Sequence, residues 1–173
     1  FFEHFQSITN ISSDASNIER INRWSSAVRM FEEKPVFGYG PGTYQFNYAP
    51  FQRSKFRTII TTNSGDGGNA HSEYLGPLSE SGILGMFSVL ILVCICIWKG
   101  IFIYHHETDK TIRIIAIMCT LALITYFIHG FLNNFLDTDK LAVPVFGAMG
   151  VITALDINRK KNPTSHTEKY DKK

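Results

Sequence analysis

No charged residue occurs from Ser81 to Trp98, and beyond Lys99 the apolar character resumes through Gly100-Ile101-Phe102-Ile103-Tyr104. This run limits the possible folds more than any other feature, since about 20 predominantly apolar residues are what a helix needs to cross a bilayer core. A second uncharged run extends from Ile114 to Leu136. A third, from Leu141 to Leu155, contains Pro144 and reaches spanning length only with Lys140 and Asp156 at the interfaces. Trp98, Tyr104 and the neighbouring Lys and Arg residues suit the edges of a membrane. The reading is an all-α fold, a fragment of a polytopic membrane protein. A partly helical outer segment covers 1–80, transmembrane helices lie at about 82–104, 113–136 and 140–157 within 81–157, and a basic tail covers 158–173.

The basic residues set the direction of these spans. Lys99, Lys110 and Arg113 flank the first connection, and Arg159, Lys160, Lys161, Lys169, Lys172 and Lys173 follow the third span. The second connection, Asp137-Thr138-Asp139-Lys140, has one lysine against two aspartates. Positive-inside bias puts the first connection and the tail in the cytoplasm, and with three spans the segment 1–80 then lies outside. The tail reads as a disordered end whose charge anchors the topology. The formal net charge of +2 over 173 residues does not make the chain a binder of polyanions, and no nucleic-acid partner is expected. The chain starts Phe1-Phe2-Glu3 with no basic n-region ahead of a short apolar core, so it reads as cut from a longer protein. Cys94, Cys96 and Cys119 all lie in apolar runs. On a helix the first two point about 200° apart, which suits packing and cannot clamp a metal. No metal or other cofactor is expected.

In the outer segment, Ser16-Asn17-Ile18-Glu19 fits a capping box and Pro35 limits the far end, predicting a helix over about 17–34. Ile21, Trp24, Ala27, Val28 and Phe31 form one apolar arc on it. Arg20 falls inside that arc, whereas Arg23 lies off its edge and Arg29 well away. An arginine on a buried face needs an anionic partner, either a structural carboxylate or a phosphate. The glycine-rich Pro35–Thr43 stretch lacks the Lys-Ser/Thr of a P-loop and reads as a turn reversing the chain. Residues 44–62 alternate aromatic and polar positions, which suits a membrane surface with Arg53, Lys55 and Arg57 toward head groups. The stretch 63–69 reads as a mobile loop. Gly76-Pro77 should kink or interrupt the helical turn, and Gly82 and Gly85 allow close helix packing early in the first span. His71 is either an interfacial hydrogen-bonding residue or a catalytic one. In the second span, His129 and Asn133 are four apart and share a helical face near its outer end. Polar groups in a membrane are functional suspects, although hydrogen bonding between helices also accounts for them.

Two stretches together resemble the O-antigen ligase/polymerase superfamily. Arg20, Trp24, Pro35, Gly38, Gly40 and Gly42 make the first half of the pattern. His71, Ser72, Leu75, Glu80, Gly82 and Gly85 make the second. Ser72 stands where many relatives have Asn. The resemblance covers about 70 residues and runs on into the apolar spans. It implies an inner-membrane, metal-independent glycosyltransferase acting at the periplasmic face. The donor would be a glycan on undecaprenyl diphosphate, and the acceptor lipid A-core, another glycan or a protein, with membrane lipids around it. It matches His71 to the family's loop histidine, which abstracts a proton or positions the acceptor, and Arg20 to its diphosphate-binding arginine. The expected site is thus His71 as catalytic residue, with Arg20, Glu80 and His129 binding substrate. Competing expectations are a non-catalytic lipid-diphosphate-binding subunit, a flippase component, a protein O-oligosaccharyltransferase, or a structural membrane anchor.

Overall fold

The computed structural model describes residues 15–62, 68–136 and 139–161. The expected loop at 63–67, the aspartate of the second connection at 137 and the tail beyond 161 lie outside the described residues. The fold is all-helical, and three of its helices are long and apolar enough to cross a membrane. In chain order the helices are α1 (Ala15–Glu33), the short α2 (Tyr44–Asn47), α3 (Leu75–His106), α4 (Lys110–His129) and α5 (Asp139–Lys161). Two 3-10 turns, Ala49–Phe51 and Ser54–Phe56, lie between α2 and α3. The chain divides into two compact units. One runs to Ser88 and includes Gly130–Asn134, and the other contains Val89–His129 and the residues from Phe135 on.

The first unit is built around α1, which starts and ends close to the predicted limits. Ser16 lies inside it rather than capping it. The buried face is not the apolar arc expected. It consists of Glu19, Asn22, Arg23, Ser26, Ala27 and Met30, whereas Val28 is exposed. The reason is what packs there. Residues 49–62 and 68–70 cross the helix largely as irregular backbone, whose amides and carbonyls must find partners. Arg53 N–H donates to Asn22 Oδ1 at 3.0 Å, and Phe51 O accepts from Arg29 at 2.8 Å. Where aromatic residues meet the helix, a small apolar core does form. It contains Ala27, Met30, Tyr44, Tyr48 and Ala70, with Tyr39, Phe51 and Leu75 against it. Tyr44 and Tyr48 stack at 5.2 Å, and the Tyr44 hydroxyl donates to Arg23 O at 2.8 Å. Arg53, Lys55 and Arg57 are exposed.

The glycine-rich stretch after α1 is a turn, as its composition predicts, and it is fastened to the start of α3. Tyr39 N–H donates to Ser79 O, Gly40 N–H to Glu80 O at 2.7 Å, and Ile83 N–H to Pro35 O at 2.9 Å. Gly38 and Gly82 make this approach possible. Both have φ of +65°, and a Cβ on Gly38 would lie 2.4 Å from the Glu80 carbonyl, one on Gly82 2.3 Å from Val36 O. Gly82 therefore breaks α3 instead of serving helix packing, and the expected interruption at Gly76-Pro77 is absent. Pro77 lies in the first turn of α3, where a missing N–H costs little.

In the second unit, residues 89–106 of α3 lie beside α4 and α5. Gly100 is the point of closest approach, since a Cβ there would lie 1.9 Å from Thr120 Oγ1 and 3.4 Å from Ile152 Cδ1. Val93, Cys96, Ile103, Ala116, Leu123, Met149 and Ile152 are buried, while Leu92, Ile95, Met118, Leu121 and Val143 are exposed. Exposed apolar side chains of this kind suit lipid. Cys94 is exposed and Cys96 buried, in keeping with their opposite directions on a helix. Pro144 is accommodated within α5. Lys99 Nζ lies 2.8 Å from Asp156 Oδ2, which also takes Lys160 at 3.1 Å. The α4 helix ends at His129, earlier than the uncharged run implies, because Gly130 and the polar Asn133 and Asn134 follow. Asn133 therefore does not share a helical face with His129. It lies with Gly130 in the first unit, where both their carbonyls accept Glu73 N–H, at 3.2 and 2.8 Å.

Candidate functional site

His71 occupies the turn before α3. It is the one non-glycine residue with positive φ among those described, at 48°. A left-handed backbone costs a residue with a Cβ roughly 1–2 kcal/mol, so surrounding contacts must hold it. Two do so directly. His71 N–H donates to Asn69 Oδ1 at 3.1 Å, and Trp24 Nε1–H donates to His71 O at 3.3 Å. On the far side Ser72, only 2% exposed, takes the N–H groups of Tyr74 and Leu75 on its hydroxyl and caps α3. Among the described residues the imidazole itself has no hydrogen bond.

The arginines divide into two roles that helical periodicity does not separate. Arg23, expected off the edge of the arc, is the buried one. Its Nε donates to Glu19 Oε1 at 2.9 Å, its Nη1 to Asn69 O at 3.3 Å and its Nη2 to Thr62 Oγ1 at 3.4 Å. Glu19 Oε2 in turn accepts from Thr61 Oγ1 at 2.7 Å. The structural carboxylate thus belongs to Arg23. Arg20 is half-buried and makes no salt bridge to a described residue. Arg20 is one helical turn from Trp24 and shares its face. The bond from Trp24 to His71 therefore brings this part of α1 to the histidine. Burial holds the His71 pKa below its ordinary value, and the charges of Arg23 and Arg20 lower it further against an opposing effect of Glu19. The imidazole is consequently neutral at pH 7, the form that accepts a proton.

Glu80 lies elsewhere in the unit. Its Oε2 accepts Gly42 N–H at 2.9 Å and its Oε1 accepts Tyr44 N–H at 2.8 Å, so its charge is engaged in fastening the glycine-rich turn to α3. His129 is exposed at the end of α4 and belongs to the second unit. Within the first unit the structure thus brings together His71 and Arg20. It adds Trp24, Arg23, Glu19 and Asn69. The Glu19–Arg23 pair was visible in the sequence as an i, i+4 spacing of opposite charges. Asn69 carried no signal beyond lying two residues before the histidine.

These features define a broad class: an all-helical membrane protein with a histidine near an arginine that makes no salt bridge to a described residue. The match to known sequences narrows it: residues 1–90 match the O-antigen ligase family, and the chain belongs to that family. An uncharacterized protein of Haemophilus influenzae (strain ATCC 51907 / DSM 11121 / KW20 / Rd) is 26% identical over 133 residues, which is 75% of this chain and 32% of that protein. The chain therefore spans about a third of the length of the curated relative it matches. No solved structure matches it.

Proposed function

We propose that the intact protein transfers or polymerises a glycan carried on undecaprenyl diphosphate. The acceptor is a hydroxyl of lipid A-core, another glycan or a protein, at the periplasmic face of the inner membrane. The observation that carries this reading is a neutral imidazole with no hydrogen bond to a described residue, beside an arginine with no salt bridge to one. The acceptor O–H gives its proton to a His71 ring nitrogen as its oxygen bonds to the anomeric carbon. The bond from that carbon to the diphosphate oxygen breaks, and its electron pair leaves on the diphosphate. Arg20 offers a planar fork of N–H donors to the charge that develops there, an interaction worth most in the transition state. Glu80 serves this site through the turn it holds, and His129 remains a second candidate for contact with substrate. The basic ends of the apolar helices support an orientation with His71 outside.

The test is His71→Ala and His129→Ala in the intact protein, with transfer followed by glycan laddering and protein level by immunoblot. His71→Ala should lose about a hundredfold to ten-thousandfold in rate, the usual share of a general base. Full transfer by His71→Ala would remove the catalytic reading and favour a lipid-diphosphate-binding subunit. An impermeant maleimide added from the periplasm should modify a cysteine placed at Lys55 and spare one placed at Lys161. The opposite labelling would put the site on the wrong face for this donor.

A further inference from the structure

We infer that Asn69 and Trp24 are positioning residues for His71. They hold its backbone in the left-handed conformation that aims the imidazole. The inference rests on the proposed catalytic role of His71 and concerns how that role is achieved. A histidine can reach a substrate from an ordinary backbone conformation, so a left-handed one needs a cause. Here His71 is gripped at both ends of its own peptide units. Asn69 Oδ1 takes its N–H at 3.1 Å, and the Trp24 indole gives a hydrogen bond to its carbonyl at 3.3 Å. Neither holder is loose. The Asn69 carbonyl is bound by Arg23 at 3.3 Å, and Arg23 is anchored by Glu19 at 2.9 Å. Trp24 is fixed on α1 one turn from Arg20. The same helix therefore sets the place of the guanidinium and, through the indole, that of the imidazole. Ser72 fixes the next residue by capping α3. Loss of either bond frees a peptide unit of His71 to rotate, which shifts the direction of its Cβ while Ser72 still caps α3. Such a change would misplace the base without unfolding the unit.

The two holders call for different substitutions. Asn69→Ala removes the acceptor oxygen, whereas Asn69→Asp keeps it. Trp24→Phe removes the N–H and keeps most of the ring. All are measured in the intact protein in membranes, with donor KM and turnover determined separately and protein level monitored. We expect Asn69→Ala to lower turnover by about tenfold to a hundredfold, the scale of a small misplacement of a reacting group. The KM for the lipid-linked donor should change by less than about threefold, because Arg20 is untouched. Asn69→Asp should restore most of the turnover, and Trp24→Phe should resemble Asn69→Ala. Asn69→Ala in a His71→Ala background should cause no further loss. Unchanged turnover in both Asn69→Ala and Trp24→Phe, with His71→Ala inactive, would overturn the positioning role and leave the catalytic one standing. A loss that Asn69→Asp does not restore, or one that appears wholly in KM, would also overturn it. Full activity of His71→Ala would instead show that the reading beneath it is at fault.

Discussion

Replacing Gly82 by alanine tests the junction on which the first unit depends, and the sign of the effect is diagnostic. If residue 82 were an ordinary position inside a long helix, Gly→Ala would stabilise it by roughly 1 kcal/mol. The structure requires the opposite. Gly82 has φ of 65° and ψ of −166°, a region open essentially to glycine alone. Forcing a residue with a Cβ into it costs on the order of 1–3 kcal/mol. The new Cβ would also lie 2.3 Å from Val36 O and 2.7 Å from Phe37 N, where real Cβ contacts are not found below 3.0 Å. The turn must then retreat by at least 0.7 Å (3.0 less 2.3), lengthening the bonds from Ile83 N–H to Pro35 O and from Gly40 N–H to Glu80 O. With each hydrogen bond worth about 1 kcal/mol net, the total loss is roughly 3–5 kcal/mol. The assay is thermal denaturation of the detergent-solubilised protein beside Gly147→Ala and Gly150→Ala, where a Cβ meets nothing within 4 Å. Gly82→Ala should fall well below both. A Gly82→Ala protein as stable as these controls would refute the account of a helix broken to receive a loop.

The two arginines should separate in the same spirit. Arg23→Ala leaves Glu19 buried without its partner and should cost about 3–5 kcal/mol of stability, read by thermal denaturation, whereas Arg20→Lys should keep stability and lose turnover. Equal behaviour of the two would show that the division of roles is wrong. The pH dependence of kcat/KM should show an acid limb, because a protonated imidazole cannot take a proton. Its midpoint should lie below 6.5, since burial, Arg23 and Arg20 all favour the neutral ring. Arg20→Gln removes one of those charges and should raise the midpoint, and a limb that stays put would mean that the titrating group is not His71.

What the sequence made legible follows from which forces leave a local mark. The apolar helices were readable because a bilayer demands long uncharged runs. Residues 83–106 of α3 fall close to the expected 82–104, and α5 extends the expected 140–157 by a turn. The end of α4 was not readable from charge, because Gly130, Asn133 and Asn134 are uncharged and the uncharged run continues through them. The face of α1 was misread for a deeper reason. Periodicity assumes that apolar residues point inward, yet this helix is covered by irregular backbone that asks for polar partners. Asn22 and Arg23 supply them and Val28 faces out. His71 stood out in the sequence as a candidate, but its left-handed backbone is held in part by Trp24, which is 47 residues away in the chain. No local pattern carries that information.

The fastening of the turn at 35–42 to residues 79–83 closes a ring in the chain. Everything from Thr43 to Leu78 is strung between two points that are already in contact. For a flexible tether, doubling the enclosed length costs only about 0.6 kcal/mol of closure entropy. Residues 53–60, exposed at most positions and remote from the clasp in sequence, are where such growth would be cheapest. The clasp thus separates two tasks that a linear chain would confound. The turn, α1 and the start of α3 can stay fixed, and the exposed part of the ring can change in length and sequence.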